Sequence, residues 1–370
     1  MKKKDVAILD FGSQGITLAV GERGINKTFV IKGEKLFNYD GFSDGRFFNE
    51  AGLAEILIEA VKEAKKIMRT VPETIFVGVP GAFTTVSVRE GRISFPKKKK
   101  ITEEDVDSLF DAAFKLSSAK RTLINRSAIL YELDDQRRLA NPIGATCGVL
   151  KAKLSFIECE DYFIEKVIPV LKGEGVKNVE CVSSPLATAL YLIGAETRDR
   201  VALLVDVGYI TTTLSVIQGD GIIFQRSFDY GGGYVTAKLT ERLNVEFDVA
   251  ETIKRKINLC SLRSEGFYEL INSPSGEYFD AEEIKSAVKE SLDELCEAIS
   301  ISLEEAEFVL PDYVPLSITG GGIAYIRGAK EHVSGRLNMA VQVLSPSVPL
   351  MDKPINSSFL SLLDLALEQN

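Results

Sequence analysis

The chain has 370 residues, of which 45% are apolar and 26% charged, and its formal net charge is −9. This length predicts more than one domain, and the composition is that of a soluble globular protein. The acidic balance argues against nucleic acid as a partner, because phosphate binding needs a basic surface. Five cysteines without a Cys-x-x-Cys pair and a single histidine argue against disulfide frameworks, zinc sites and histidine-based catalysis. No apolar run approaches the roughly 20 residues that a membrane helix needs.

The N-terminal segment predicts two strands joined by a turn. Residues 6–9 are a continuous apolar run, and residues 16–20 resume it after a bend that contains Asp10 and Gly12. The apolar periodicity then predicts two further elements, a helix at 51–68 and a strand at 74–79.

The next segment predicts a small α+β unit inserted into the first half. Residues 84–88 and 92–95 have the pattern of a hairpin, and the basic run 97–100 is expected in a loop. Thr102 followed by Asp105 is the pattern of a capping box that begins a helix. Two more strands are predicted, at 127–133 and 147–157.

The N-terminal pattern recurs in the middle of the chain, after helices predicted at 161–172 and 184–193. An apolar strand at 201–205 leads into Asp206 and Gly208, and a second strand follows at 214–217. A single Asp-x-Gly is most simply a β-turn, but two copies in equivalent places predict duplicated folds that face each other. The remaining predicted elements are helices from 231–233 to about 243, at 248–257, at 280–308 with Asp280 as N-cap, from about Tyr325, and at 357–367, with a strand at 316–318.

These loops have the residue types that bind a phosphate chain. Glycine lets backbone N–H groups approach an anion, and the hydroxyls of Ser13 and Thr211 add hydrogen bonds. Asp10 and Asp206 would repel phosphate directly, so they predict a Mg²⁺ that lies between these acids and the phosphates, usually through water. Simpler interpretations of these motifs remain open. Glycine runs also cap helices, and Glu251 and Lys254 have the spacing of an ordinary surface ion pair.

The order of these motifs resembles the actin-like ATPase superfamily, most of all the bacterial cell-division protein FtsA and less closely the pilus-assembly protein PilM. The resemblance implies an α/β, actin-like (ribonuclease H-like) duplicated two-domain fold with an FtsA-type α+β insert. Thr102 to Val106 and Asn141 to Gly144 resemble the insert. The implied domains are a first half at 1–83 and 160–196, the insert at 84–159, and a second half at 197–370 with a subdomain at about 231–309.

The resemblance also implies which residues bind ATP or ADP with Mg²⁺. The phosphate-binding residues would be Gly12, Ser13, Gln14, Gly208, Tyr209, Thr211 and Thr212. The nucleoside-binding residues would be Gly232, Gly233, Glu251, Lys254, Gly320, Gly321 and Gly322, with Glu251 on the ribose and the Lys254 stem on the purine face. The metal would be held by Asp10 and Asp206, and no catalytic residue is assigned.

Three features depart from the family pattern. Tyr209 and Ile210 stand where relatives have small residues, the helix at 184 begins without a glutamine or glutamate, and no basic amphipathic helix follows residue 367. We therefore expect weak or no ATP hydrolysis and no direct membrane anchor. The expected partners are division or assembly proteins, either FtsZ-like or the tail of a membrane protein, and further copies of the chain bound through the insert.

Three functions remain open. The first is an FtsA-like cytoplasmic scaffold that binds ATP and is recruited to the inner face of the membrane by partners. The second is a PilM-like adaptor that does not hydrolyse ATP and binds the cytoplasmic peptide of a membrane protein. The third is a sugar or acetate kinase, which would need a general base near the γ-phosphate that the sequence does not offer.

Overall fold

A computed structural model describes residues 5–24, 28–116, 118–261, 270–272, 276–306, 310–311 and 313–369. The first half begins with five strands, one helix and a sixth strand, which are β1 (Val6–Phe11), β2 (Gly15–Arg23), β3 (Phe29–Asn38), β4 (Phe42–Ser43), β5 (Arg46–Phe47), α1 (Glu50–Met68) and β6 (Thr74–Val79). The side chain of Asn49 caps α1 by accepting from the amide of Gly52.

The insert follows as one sheet covered by a helix. Its elements are β7 (Thr84–Lys100), α2 (Glu103–Ala113), β8 (Arg121–Leu133), β9 (Arg138–Leu139) and β10 (Thr146–Glu160), and the strand order is β7-β10-β8-β9. The capping box of Thr102 and Asp105 is present at the start of α2.

The hairpin predicted around Glu90 and Gly91 is wrong, and so is the loop predicted at 97–100. Both segments belong to the single strand β7, which pairs with β10 along most of its length. Gly91 is needed there for packing and makes no turn, because a Cβ at this position would lie 2.9 Å from the Leu109 side chain of α2. The long partner strand supplies the backbone hydrogen bonds that a hairpin would otherwise have made.

The chain then returns to complete the first half. The returning elements are α3 (Asp161–Gly173), β11 (Asn178–Ser183), α4 (Ser184–Leu192) and α5 (Ala195–Arg198). The first sheet has the order β11-β6-β1-β2-β3, in which β1 is antiparallel to β2 and parallel to β6. Helices α1 and α3 cover one face of this sheet, with Leu53, Leu57 and Val167 in the core.

The second half repeats this topology. Its elements are β12 (Ala202–Val207), β13 (Thr212–Gln218), β14 (Gly221–Phe228), α6 (Gly232–Leu243), α7 (Phe247–Lys256), β15 (Leu270–Asn272), β16 (Tyr278–Asp280), α8 (Ala281–Glu305), β17 (Leu316–Thr319), α9 (Ala329–Leu337), β18 (Val341–Val343) and α10 (Ser357–Gln369). The sheet order β14-β13-β12-β17-β18 mirrors the first, since β12 is antiparallel to β13 and parallel to β17. The predicted duplication of the fold is confirmed.

Two predicted helices of the second half can be compared with the structure in detail. The predicted N-cap of α8 is present, because Asp280 accepts from the amide of Glu282, whereas the predicted end of this helix at 308 lies outside the described residues. The helix predicted from Tyr325 begins only at Ala329, because Gly328 has a φ of +88°, which no α-helical residue adopts.

The sequence predicts the last helix in the second half, but α10 packs on the first sheet. Phe359, Leu362 and Leu363 join a core with Val6 and Ile8 of β1. The chain therefore crosses back between the halves after β18, and its end covers the face of the first sheet opposite α1. Among the described residues, no helix combines the length and apolar character needed to cross a membrane.

Candidate nucleotide-binding site

Two acidic residues occupy equivalent places at the ends of the central strands. Asp10 ends the pairing of β1 with Gly78 of β6, and Asp206 ends that of β12 with Thr319 of β17. A Cβ at Gly78 would lie 2.9 Å from Oδ1 of Asp10, and one at Gly320 would collide with Oδ1 of Asp206. Each half therefore keeps a glycine beside its acid, which leaves the carboxylate room to face the cleft.

Burial raises the pKa of both acids. Asp10 is 6% exposed, and its pKa rises to about 6 through burial, an effect that hydrogen bonds from Ser358 and Ser184 oppose and the charge of Asp206 reinforces. Burial alone raises the pKa of Asp206 to about 6. Two such carboxylates in one cleft would be stabilised by a cation bound near them.

Ser13 joins the two loops directly. Its Oγ accepts from the backbone N–H of Ile210 at 2.9 Å and from that of Thr211 at 3.4 Å. Each loop is also a tight turn, because Gly12 donates to the carbonyl of Gly15 and Gly208 to that of Thr211. The amides of Ile210 and Thr211 are placed to bind a phosphate oxygen, and the Ser13 hydroxyl accepts from them in this structure.

Several predicted glycines pack the loops against each other and do not line the cleft. Gly232 donates to the carbonyl of Gly208, Gly233 to that of Tyr209, and Gly322 to that of Val207. A Cβ at Gly232 would collide with the carbonyl oxygen of Gly322. Their bare backbones allow three loops to meet, which only glycine permits.

Some of the predicted site residues line the cleft and others do not. The lining includes Gly12, Ser13, Gln14, Gly208, Tyr209, Thr211, Glu251, Gly320, Gly321 and both acids. Thr212 lies behind the cleft, where its hydroxyl donates to the carbonyl of Tyr230.

Lys254 lies beneath the cleft and not on a purine-binding face. Its side chain is fully buried, and Nζ donates to the Gly232 carbonyl and to Thr236 Oγ1, each at 2.8 Å. It also forms an ion pair of 2.7 Å with Glu251. Burial lowers the pKa of Lys254, while Glu251 opposes that shift. The expectation that the Lys254 stem covers a base is therefore replaced by a structural role under the Gly232 loop.

An aromatic and cationic group that the sequence did not single out lines the other end of the cleft. The Arg255 guanidinium lies 5.2 Å from the centre of the Tyr325 ring, and the Tyr325 hydroxyl donates to Glu251 at 3.3 Å. Tyr209 lines the same region and packs edge-on against Phe247. Arg255, four residues after Glu251, could have been found from helical spacing, whereas Tyr325 could not.

The last helix also reaches the cleft. Ser358 Oγ donates to Oδ1 of Asp10 at 2.8 Å, and Ser184 of α4 donates to the same atom at 3.3 Å. The cavity between these groups has a volume of about 220 Å³. Sites that enclose a small ligand are typically about 300–1,000 Å³. The donor groups and the paired acids fit a phosphate chain with Mg²⁺, and a whole nucleotide needs the halves to separate further.

Two family models match the chain. One is described as type IV pilus assembly protein PilM and matches residues 178–360. The other is described as the SHS2 domain inserted in FtsA and matches residues 81–158, which is the insert. The predicted insert is thus confirmed, whereas the exact domain boundaries remain predictions.

Individual FtsA, PilM and MreB proteins are similar to this chain over most of its length. The cell-division protein FtsA of Neisseria meningitidis is 20% identical over 93% of this chain and 84% of its own length. The PilM–PilN type IV pilus biogenesis complex superposes with a TM-score of 0.65 at 18% identity, over 98% of each chain. MreB 5 of Spiroplasma citri, bound to AMPPNP, superposes with a TM-score of 0.58 at 13% identity, over 99% of this chain and 96% of its own.

The duplicated sheets, the paired acidic loops and the inserted SHS2 domain agree with these matches, which support an actin-like ATPase fold related to FtsA and PilM.

Proposed function

We propose that the chain binds ATP or ADP with Mg²⁺ in the cleft and acts as a cytoplasmic scaffold. The observation that carries this proposal is the pair Asp10 and Asp206, which line the same cleft with pKa values that burial raises. A bound Mg²⁺ would neutralise the carboxylates and bring a phosphate chain between the loops. The solved relative MreB 5 carries AMPPNP, which supports a nucleotide on this fold.

The residues of the cleft would then divide the ligand between them. Asp10 and Asp206 would hold Mg²⁺, mostly through water, while the amides near Ser13 and Thr211 would bind phosphate oxygens. Gly12, Gln14 and Gly208 would shape the same loops. Glu251 would accept from ribose hydroxyls, with Gly320 and Gly321 beside the nucleoside and the rings of Tyr209 and Tyr325 near the base. Bound Mg²⁺ would neutralise the charge of the phosphates, and the loops of this chain would hold the ligand.

Hydrolysis is expected to be slow or absent. The start of α4 contributes Ser184 and Pro185 to the cleft, where an acid or amide would be needed to orient a water molecule. The Ser184 hydroxyl already donates to Asp10. A scaffold needs the nucleotide to stabilise a conformation and has no need of turnover. The FtsA relatives favour a scaffold of cell division or of a related membrane-associated assembly, with FtsZ-like proteins or further copies as partners.

Equilibrium binding of a fluorescent ATP analogue tests the nucleotide site. We expect Mg²⁺-dependent binding that EDTA removes, and a loss of at least tenfold in affinity for Asp206→Asn. Asp199→Asn, an exposed acid outside the cleft, is the matched control and should bind as the parent does. An affinity for the analogue that neither EDTA nor Asp206→Asn lowers would contradict the proposed site.

A second candidate function rests on a groove that is separate from the cleft. The groove has a volume of about 630 Å³ and lies between the insert and helices α4 and α10. Its apolar surface comes from Phe110, Tyr131 and Ile143 of the insert and from Leu190 and Leu365 of the helices. Charged residues that line it are Arg126, Arg198, Asp220, Asp364 and Glu368. This surface suits an amphipathic peptide, as a PilM-like adaptor for a membrane protein's cytoplasmic tail would require.

Peptide selection can separate the adaptor from a scaffold that lacks this site. A displayed peptide library is selected on the parent protein, and the recovered peptides are retested on two variants. Ile143→Lys places a charge at the groove, whereas Ile301→Lys changes a comparably exposed isoleucine on α8. Peptides that bind the parent and Ile301→Lys but not Ile143→Lys would support the adaptor, and equal binding to all three would exclude it.

A further inference from the structure

One carboxylate is shared by the first turns of two helices. Oδ1 of Asp10 accepts from Ser184, the first residue of α4, and from Ser358, the second residue of α10. The two helices also pack along each other. The position of Asp10 therefore depends on the ends of both helices, and the position of those ends depends on Asp10.

Both helices continue from the cleft to the groove. Ser184 and Ser358 line the cleft, whereas Leu190 of α4 and Asp364 and Glu368 of α10 line the groove. From Ser358 to Glu368 the helix rises about 15 Å at 1.5 Å per residue. The intervening residues of α10, from Phe359 to Leu363, are buried. Two stiff, closely packed elements thus connect the two cavities.

We propose that α4 and α10 couple the nucleotide cleft to the groove, with Ser358 as the positioning residue at the cleft end. This inference rests on the proposed binding of nucleotide with Mg²⁺ near Asp10. A hydrated cation there competes with Ser358 and Ser184 for the lone pairs of the Asp10 carboxylate. The helix ends then shift, and packed helices transmit such a shift along their axes because their interfaces resist continuous deformation.

The coupling between the cleft and the groove acts in both directions. If nucleotide changes the shape of the groove, then a ligand in the groove changes the affinity for nucleotide by the same factor. The insert forms the opposite wall of the groove through Phe110, Tyr131 and Ile143. A displacement of α10 against that wall alters the width of the groove without any movement of the insert itself.

Paired spin labels measure that width directly. The labels are placed by Ile143→Cys on the insert and Glu368→Cys on α10, two exposed positions on opposite walls, in a Cys260→Ser background because Cys260 is exposed. The distance distribution is recorded for the full chain with and without saturating ATP and Mg²⁺. We expect its maximum to move by about 1–2 Å, the usual size of a helix shift at an interface.

Ser358 is tested at matched occupancy. Ser358→Ala removes the hydroxyl and should abolish at least half of the nucleotide-dependent shift, whereas Ser358→Thr keeps a hydroxyl and should restore it. Ser300→Ala removes a hydroxyl that bonds only within α8 and is the matched control, with the full shift expected. Saturation of each variant is verified by the fluorescent analogue before the distances are compared.

The outcomes separate this inference from the proposed function. An unchanged distance in labelled parent protein that is shown to be saturated would overturn the coupling and leave nucleotide binding intact. A full shift in Ser358→Ala would overturn the role of Ser358. Absence of any nucleotide binding would refute the proposed function, and the coupling with it. The parent measurement decides the main question even if Ser358→Ala does not fold.

Discussion

Replacing Asp10 with asparagine should stabilise the protein while it removes the metal site. The pKa of Asp10 rises from 3.8 to about 6 on folding, chiefly through burial. One pKa unit corresponds to about 1.36 kcal/mol, so the ionised carboxylate costs roughly 3 kcal/mol of folding free energy at neutral pH. Asparagine carries no charge and retains an oxygen that can accept from Ser184 and Ser358.

The sign of the pH dependence follows from this shift. Because the folded state binds the Asp10 proton more tightly than the unfolded state, this group favours folding most below pH 3.8, and that contribution is lost as pH rises through 6. Protonated aspartate and asparagine are both neutral and similar in shape. The two proteins should therefore have similar stability near pH 4, and Asp10→Asn should be more stable above pH 6.

Melting temperatures in EDTA between pH 4 and 8 provide the assay. We expect Asp10→Asn to gain roughly 1–3 kcal/mol at pH 8, which is about 1–4 °C for a chain of this size. The same variant should lose Mg²⁺-dependent nucleotide binding. Asp199→Asn should change stability by less than about 0.5 kcal/mol, as exposed substitutions usually do. A variant that is destabilised equally at pH 4 and pH 8, or that binds nucleotide with unchanged Mg²⁺ dependence, would refute the reasoning.

Three further substitutions test the packing around the site and in the insert. Gly232→Ala should lower both the melting temperature and the affinity for nucleotide, because its Cβ would collide with the Gly322 carbonyl. A variant with the melting temperature and affinity of the parent would contradict this packing. Lys254→Met should destabilise the fold by about 3 kcal/mol in chemical denaturation, since Glu251 loses its buried partner, and a change confined to nucleotide affinity would instead restore a direct binding role. Thr102→Ala should cost about 1 kcal/mol by thermal melting with nucleotide binding unchanged, as loss of a helix cap predicts.

Much of the fold could be predicted because its signals are local. Apolar runs gave the central strands, and the capping box gave the start of α2. The hairpin predicted at Gly91 failed because a glycine is equally suited to a turn and to close contact with a helix. Only the position of α2 over β7 decides between them, and that position depends on the whole insert.

Some residues of the candidate site could be predicted from the sequence, and others could not. Asp10 and Asp206 were found because each follows a buried strand in a repeated pattern. Ser358 was missed, because it lies 348 positions from the acid to which it donates. Tyr325 was missed because only the folded chain brings it beside Glu251, whereas Arg255 lies one helical turn after Glu251 and its spacing could have revealed it.

The duplicated architecture and the two acidic loops follow from sequence, since strands, turns and their repetition depend on residues that are near in the chain. Which of the predicted residues face the cleft depends on the folded chain. Lys254 is buried under the Gly232 loop, and Gly322 holds loops together, because three distant segments meet there. The structure also placed α10 on the first sheet, where burial of Phe359 and Leu363 outweighs proximity in sequence.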